Sequence, residues 1–362
     1  MKIVFWSSVG LVAWVYVGYP LLVAGWAALR PRVWHRDTGD LPGVSIVVAA
    51  RDEAARLPGR IENLLALDYP GDRFEIIVVS DGSTDRTAAV IDSYTHGARP
   101  AVRLIERPAE GKAAALNAGV NAARHEVLVF ADARQRFSRG ALKALVASFA
   151  DPVVGVVSGE LVLDCEAGHT ESAAAEGVGA YWRYEKWIRA RETAVGSMLG
   201  ATGAIYAMRR SAWRPLPPGT ILDDVLAPMR AVLAGWRAVF EPAARAFDVA
   251  APDTRAEQRR KTRTLAGNWQ VLALEPRLLV PIANPVWIQY VSHKVGRLLV
   301  PFALVAFVVS SAVLASGSLV AQLAVVAQVV FYGLAAWGAR LDRARPTSPL
   351  TTGGRRRSVV NA

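Results

Sequence analysis

Val44-Ser45-Ile46-Val47-Val48-Ala49-Ala50, followed at once by Arg51-Asp52-Glu53, is the stretch whose reading decides the fold. It carries no charge and is rich in β-branched residues, so it reads as a strand covered on both faces rather than one side of an exposed sheet. Glu75 to Ser80, after its opening glutamate, is again a β-branched run, and it leads into Asp81-Gly82-Ser83. Val102 to Glu106 and Val127 to Ala131 continue the series, the latter ending in Asp132-Ala133-Arg134. Helical stretches at 53–67, 86–94 and 112–124 lie between them. This βαβαβαβ order predicts an α/β fold with a doubly wound, mostly parallel sheet. Ligands of such sheets gather beyond the carboxyl ends of the strands.

The residues at those ends are acidic. Asp52 alone reads as a helix cap and Asp81-Gly82 as turn chemistry. Together, Asp52, Glu53, Asp81 and Asp132 crowd one rim, where unpaired carboxylates raise each other's pKa unless a cation or hydrogen-bond donors stand among them. Such a rim suits ribose hydroxyls, a base edge or a metal-bound diphosphate. Gly111-Lys112 opens the following helix and offers free N–H groups and a positive charge to an anion. The spacing to a following Ser or Thr is wrong for a Walker A loop, which disfavours a nucleoside triphosphatase.

Further along, Asp223-Asp224 follows the stretch Pro215 to Gly219. Paired acids at a helix start serve the helix dipole or supply a general base to a sugar hydroxyl. The run Arg255, Arg259, Arg260, Lys261, Arg263, ending in Gly267-Asn268-Trp269-Gln270, fits equally a stripe facing anionic lipid or the neutralisation of a diphosphate. Tyr181, Trp182, Tyr184 and Trp187 lie within an expected helix of Glu176 to Arg191, where they pack against sheet or membrane or line an acceptor channel.

Outward from this region the chain turns apolar. Ile3 to Leu29 has no charge, and at ~1.5 Å per residue it is long enough to cross a hydrocarbon core of ~30 Å. It is roughly twice the length of a signal-peptide core and reads as a retained anchor. Leu298 to Ala315 and Leu319 to Gly338, broken by Ser316 to Ser318, read as a membrane hairpin. Arg30, Arg32 and Arg36, then Lys294 and Arg297, then Arg340, Arg343 and Arg345 all fit one side, placing residues 30–297 and the carboxyl terminus in the cytoplasm. The expected divisions are an anchor at 1–30, a catalytic domain at 40–275, an interfacial segment at 276–297, a hairpin at 298–339 and a basic tail at 340–362.

The whole composition agrees. The 362 residues carry 42 Lys+Arg against 31 Asp+Glu, a charge of 42 − 31 = +11, much of it explained by membrane topology. No nucleic-acid motif accompanies the charge, so a nucleic-acid partner is not expected. One cysteine, Cys165, excludes an intrachain disulfide framework and a thiolate metal cluster. The mean hydropathy of +0.24 and 11 Trp exclude a disordered chain. A transporter is disfavoured because no span holds an internal ionisable residue.

The segments VSIVVAARDEA (44–54), EIIVVSDGSTD (75–85), GKAAALNAG (111–119), VFADAR (129–134), ATGAIYAMRR (201–210), ILDDVLAPMR (221–230) and RRKTRTLAGNWQ (259–270) resemble, in that order, membrane-bound family-2 glycosyltransferases, relatives of cellulose, hyaluronan and poly-N-acetylglucosamine synthases. The resemblance covers roughly residues 40 to 300. It implies a GT-A fold, a nucleotide-sugar donor, usually a uridine diphosphate sugar, and inversion at the anomeric carbon. By position it makes Asp52, Glu53 and Asp81 nucleotide-binding acids and Lys112 a base or phosphate contact. Asp132 becomes the first acid of the DxD motif and Asp224 the general base. It puts Asp223, Arg260, Arg263, Trp269 and Gln270 near the diphosphate or acceptor, although the literal QxxRW element is absent.

Arg134 stands where most members have the second DxD carboxylate. A guanidinium cannot ligate a metal, so either Asp132 and another acid suffice for the ion, or Arg134 supplies part of the positive charge the diphosphate needs on leaving. Mg²⁺ or Mn²⁺ remains the expected cofactor. The expected activity is inverting sugar transfer at the inner membrane to a hydroxyl of a growing glycan or lipid-linked acceptor, in cell-surface polysaccharide synthesis. The rivals are a single-addition polyprenyl-phosphate glycosyltransferase and a non-catalytic nucleotide-binding subunit of a glycan synthase.

Overall fold

The computed structural model describes residues 1–97, 100–163, 173–248 and 254–344. Cys165 and the tail beyond Ala344 lie outside the described residues. Among the described residues eight strands, β1 Val44–Ala50, β2 Phe74–Asp81, β3 Ala101–Arg107, β4 Val127–Asp132, β5 Arg136–Phe137, β6 Val154–Leu163, β7 Ile205–Arg209 and β8 Arg237–Asp248, form one sheet in the order β3-β2-β1-β4-β7-β6-β8-β5. The first four are parallel, as the sequence predicts. β7 enters antiparallel between β4 and β6, and β8 pairs parallel with β6. The sheet is thus mixed, with its parallel half at the amino end of the domain.

Alternation along the central strands sends neighbours to opposite faces. Ile46, Val48, Ile76 and Val78 join one core with Leu57, Ile61, Leu64, Ile91, Leu142 and Leu145. Val47, Ile77 and Val79 join the other with Leu116, Val120, Leu226, Met229 and Val232. Helices Leu57–Leu65, Thr87–Thr95 and Ala141–Ala147 therefore cover one face, and Lys112–Ala122 and Asp223–Leu233 the other. Each such aliphatic side chain contributes about 1.5–3 kcal/mol by leaving water, which explains the near-continuous apolar runs.

Register aligns the acidic ends. Ser80 pairs with Ala50 and Asp132 with Ala49, so Asp81 and Asp132 flank the point where β1 releases the chain to Asp52. Gly82, at φ 63°, turns the chain away under Ala109, where a side chain would meet backbone at 2.6 Å.

Among the described residues three helices are long and apolar enough to cross a membrane: Lys2–Leu29, Trp287–Leu314 and Leu319–Gly338. By contacts the chain divides into Ala13–Leu299 and a second unit of Met1–Val12 with Val300–Ala362. Within the second unit Phe5 packs on Phe307 at 5.1 Å, and Gln328 Nε2 donates to Ser311 Oγ at 2.9 Å. Within the first unit Trp14 Nε1 donates to Ser292 Oγ at 3.1 Å. The second apolar helix starts at Trp287 rather than Leu298, which divides the stretch expected along the interface. Pro276–Leu279 is a short 3₁₀ turn, Pro281 and Pro285 prevent an earlier helix start, and Ser292 and His293 enter the helix because both are buried with partners.

Gly119 lets the Lys112–Ala122 helix approach β1, since a Cβ there would fall 2.4 Å from Val47 Cγ1. Gly119→Ala should destabilise the domain by about 1–3 kcal/mol through overpacking, read as a lower melting temperature; an unchanged one contradicts this packing.

Candidate active site

The loops leaving β1 and β2 are tied together before any ligand arrives. Asp52, at φ 53°, accepts the Thr84 N–H at 2.8 Å and its hydroxyl at 3.2 Å through Oδ1. The Asp52 and Glu53 amides donate to Ser83 Oγ and Thr87 Oγ1 at 3.1 and 2.9 Å. The Glu53 carboxylate meets Arg56 at 2.7 Å. Asp81 is buried and accepts the Glu110 and Gly111 amides, at 2.8 Å on Oδ1 and 2.9 Å on Oδ2. Its carboxylate therefore shapes the loop that delivers Lys112.

Lys112 is the centre of the acidic cluster. Its Nζ lies 3.0 Å from Asp132 Oδ1 and 3.3 Å from Asp223 Oδ1. Burial works against this ammonium, yet Asp223, Asp132 and Asp224 outweigh it and raise its pKa above the usual lysine value. Asp223 is buried, with Oδ2 lacking a partner among the described residues.

Asp224 is held from behind. Its Oδ2 accepts the Gly203 N–H at 2.9 Å, and its main-chain oxygen accepts the Ala201 N–H at 2.7 Å. Burial, and then the neighbouring Asp223, push its carboxyl up to about 6, while Lys112 and Lys294 pull the other way. A half-buried carboxyl so tuned, oriented by a backbone amide, has the character of a general base working near neutral pH.

The Thr254–Leu274 helix covers the loop before this pair. Gln270 accepts the Ile221 N–H at 2.8 Å and donates to Gly219 O at 2.9 Å. Arg263 donates to Ile221 O at 3.3 Å, and a side chain at Gly267 would strike Leu222 at 2.5 Å. Arg260 stacks over Trp182 at 5.7 Å, and Trp269 is exposed. The structure thus gives Gln270 and Arg263 a positioning task on the loop that carries Asp223 and Asp224.

Arg134 does not join the cluster around Lys112. It pairs with buried Asp248 at 2.5 Å, which also accepts Gln135 Nε2 at 2.9 Å. Among the described residues no group of three or more His, Cys, Asp or Glu side chains is arranged to hold a metal ion. Mg²⁺ is characteristically held by one or two carboxylates and substrate phosphates. Asp132, half-exposed, with only its Oδ1 engaged, fits the protein's share of such a site.

Two groups here were not singled out in the sequence. Tyr206 is fully buried, stacked on Phe130 at 4.6 Å, with a hydroxyl that has no partner among the described residues. Burial and the fields of Asp223, Asp224 and Asp132 raise its pKa well above the usual value, so it stays a neutral donor. A tyrosine in a β-strand reads as core, and nothing in the local pattern distinguishes it. Arg60 is buried over the Phe137 ring at 4.1 Å and senses the charge of Asp132; its place in a helical apolar stripe hides it equally well.

Residues 45–214 match the family model described as Glycosyl transferase family 2. The β-monoglucosyldiacylglycerol synthase of Nostoc sp. is 28% identical over 255 residues, 67% of this chain and 53% of that protein. The Synechocystis sp. enzyme of the same name is 29% identical over 54% of this chain and 41% of its own length. The poly-β-1,6-N-acetyl-D-glucosamine synthase of Staphylococcus aureus is 24% identical, with 64% and 56% covered. The chain spans about half the length of the curated relatives it matches. Among solved structures, the mannosyltransferase PcManGT from Pyrobaculum calidifontis, in complex with GDP-Man and Mn²⁺, matches with a TM-score of 0.71 at 24% identity, over 95% of this chain and 93% of that one. That likeness shows a shared GT-A fold.

Asp81→Ala removes the acceptor of the Glu110 and Gly111 amides, a loss worth about 1–3 kcal/mol. Amide hydrogen exchange at those two positions should accelerate; unchanged exchange would show that Asp81 does not hold the loop.

Proposed function

Since residues 45–214 match the Glycosyl transferase family 2 model, we propose that the chain is an inverting glycosyltransferase moving a sugar from a nucleotide diphosphate to a hydroxyl of a growing glycan or lipid-linked acceptor. The observation that carries this reading is the meeting of Lys112, Asp132, Asp223 and Asp224 beside the loops of Asp52 and Asp81. In the proposed step, an Asp224 oxygen takes the proton of the acceptor hydroxyl. The acceptor oxygen then bonds to the anomeric carbon from the face opposite the diphosphate. The old carbon–oxygen bond breaks and leaves its electron pair on the diphosphate.

The nucleotide rests over the ends of β1 and β2, with Asp52, Glu53 and Asp81 shaping its bed. Lys112 faces the phosphates, and the helix carrying Arg263 and Gln270 holds the loop before Asp223 and Asp224. Asp132 would hold a Mg²⁺ or Mn²⁺ ion, as the Mn²⁺ in the PcManGT complex suggests; when bound, such an ion supplies positive charge to the leaving diphosphate. By the resemblance of its motifs, the donor is a uridine diphosphate sugar. The apolar helices anchor the domain, with Arg30 to Arg36 favouring a cytoplasmic face.

A second reading, single addition to a lipid, draws on the β-monoglucosyldiacylglycerol synthases among the relatives. Product sizing separates it from polymerisation.

Asp224→Asn should lower turnover by about 10²–10⁴-fold, the usual share of a general base, with donor affinity nearly unchanged; full turnover by the variant removes the assigned role. Asp224 must be ionised to accept a proton, so kcat/KM should rise with pH through about 6 and then level; a profile flat from pH 5 to 8 contradicts that. Exhaustive chelation should abolish transfer and Mn²⁺ or Mg²⁺ restore it, whereas undiminished activity rules the ion out.

A further inference from the structure

The Leu57–Leu65 helix buries Leu57, Arg60, Ile61 and Leu64. Spacings of three and four put all four on one face, the stripe that a helix lays on a sheet. Leu57, Ile61 and Leu64 join the core that holds Ile46 and Ile76. The fourth member is an arginine, only 2% exposed. Its guanidinium lies 4.1 Å from the centre of the Phe137 ring, and its Nη1 donates to Asn63 Oδ1 at 2.9 Å. Nε and Nη2 are buried with no hydrogen-bond partner among the described residues.

Such a side chain is costly as a packing element. A buried charge with unspent donors is unfavourable, and an apolar side chain of similar volume in such a place is often neutral or stabilising. Burial pushes the guanidinium pKa down to about 9, against the pull of Asp132, so the charge persists at neutral pH. Packing alone does not account for Arg60. What it holds is the segment that begins at Asp132.

That segment runs from the end of β4 to Phe137 in β5. Ala133, Gln135 and Phe137 are buried while Arg134 and Arg136 are exposed, so one side of it turns inward. Ala133 and Phe137 join the same core as the helix stripe. β5 stands at the end of the sheet, beside β8, and its outer backbone groups need a partner other than a strand. Asn63 supplies it. Its Nδ2 donates to Phe137 O at 3.0 Å, and its Oδ1 accepts the Phe137 N–H at 2.8 Å. The same Oδ1 accepts Arg60 Nη1, so the guanidinium fixes the amide that fixes the strand. At its other end the helix starts on Glu53, whose main-chain oxygen accepts the Arg56 and Leu57 amides at 2.9 and 3.0 Å. One helix thus joins the loop after β1 to the segment after β4, with Arg60 and Asn63 as the joint.

We propose that Arg60 is a positioning residue for sugar transfer: through Asn63 it fixes the 132–137 segment, and so the direction in which Asp132 meets the diphosphate of the donor. This rests on the transfer reading above and adds to it a residue that no motif marks. Arg60 touches neither donor nor acceptor; its contribution is to hold one carboxylate in place before the donor arrives.

The test is calorimetric binding of uridine diphosphate, with Mn²⁺ in the buffer, by the full chain in a non-ionic detergent. Arg60→Met should raise the Kd about tenfold while the melting temperature stays within about 2 °C of the parent or rises. Arg60→Lys should recover part of the affinity. Asp132→Asn should also weaken binding, and the double variant should bind no more weakly than Asp132→Asn alone, because Arg60 acts through that carboxylate. Should Arg60→Met fail to fold, amide hydrogen exchange at Phe137 in the parent decides: uridine diphosphate with Mn²⁺ should slow it, the segment then being held at both ends. Unchanged affinity with a lowered melting temperature in Arg60→Met, additive losses in the double variant, or Phe137 exchange indifferent to the nucleotide overturns the positioning role and leaves sugar transfer standing. A parent chain that binds no uridine diphosphate overturns the transfer reading itself, and this role with it.

Discussion

One ammonium group organises the candidate site. Lys112 Nζ lies between Asp132, at the end of β4, and Asp223, at the start of a helix on the far side of β7 in sequence. Without that cation, three carboxylates would crowd one cleft and the cost of ionising them together would fall on the fold. With it, Asp132 and Asp223 stay close while Asp224, lacking direct contact with Lys112, keeps an elevated pKa. The same lysine is delivered by a loop that Asp81 holds by its backbone. The end of β2 and the charge balance of the cleft are therefore a single device.

The second half of the domain works by clamping. The Asp223-Asp224 pair hangs on a loop fixed at one end by Gln270 and Arg263 and at the other by the amides of Ala201 and Gly203. Residues that resemble a family's acceptor or diphosphate element thus have a mechanical task before any ligand is present. Arg134 is likewise committed to Asp248, which takes it out of the cluster around Lys112 despite its proximity in sequence to Asp132.

The parallel half of the sheet was legible because a strand buried on both faces leaves an unbroken apolar run, as in Val44 to Ala50 and Glu75 to Ser80. The acidic ends followed from the same runs, since Asp52 and Asp81 stand just beyond them. The antiparallel entry of β7 was not legible: Ile205 to Arg209 is short and apolar, and nothing local says which neighbour it pairs with. The backbone grip on Asp224 was equally hidden, because amides of Ala201 and Gly203 leave no mark in side-chain identity. The tie between Glu192 and His293 was hidden too, because it joins helices more than 100 residues apart in the chain.

Asp224 thus stands near a lysine already shared between Asp132 and Asp223 at the ends of the strands. That arrangement suits a reaction in which an activated sugar lies over the strand ends and its acceptor hydroxyl meets Asp224. A cryo-electron microscopy structure of the chain with an unreactive nucleotide-sugar analogue tests this most directly. The account predicts the diphosphate within hydrogen-bonding distance, about 3.5 Å, of Lys112 or a cation held by Asp132, with the anomeric carbon facing Asp224. A nucleotide bound away from the rim formed by Asp52, Asp81 and Asp132, or a sugar turned from Asp224, would contradict it.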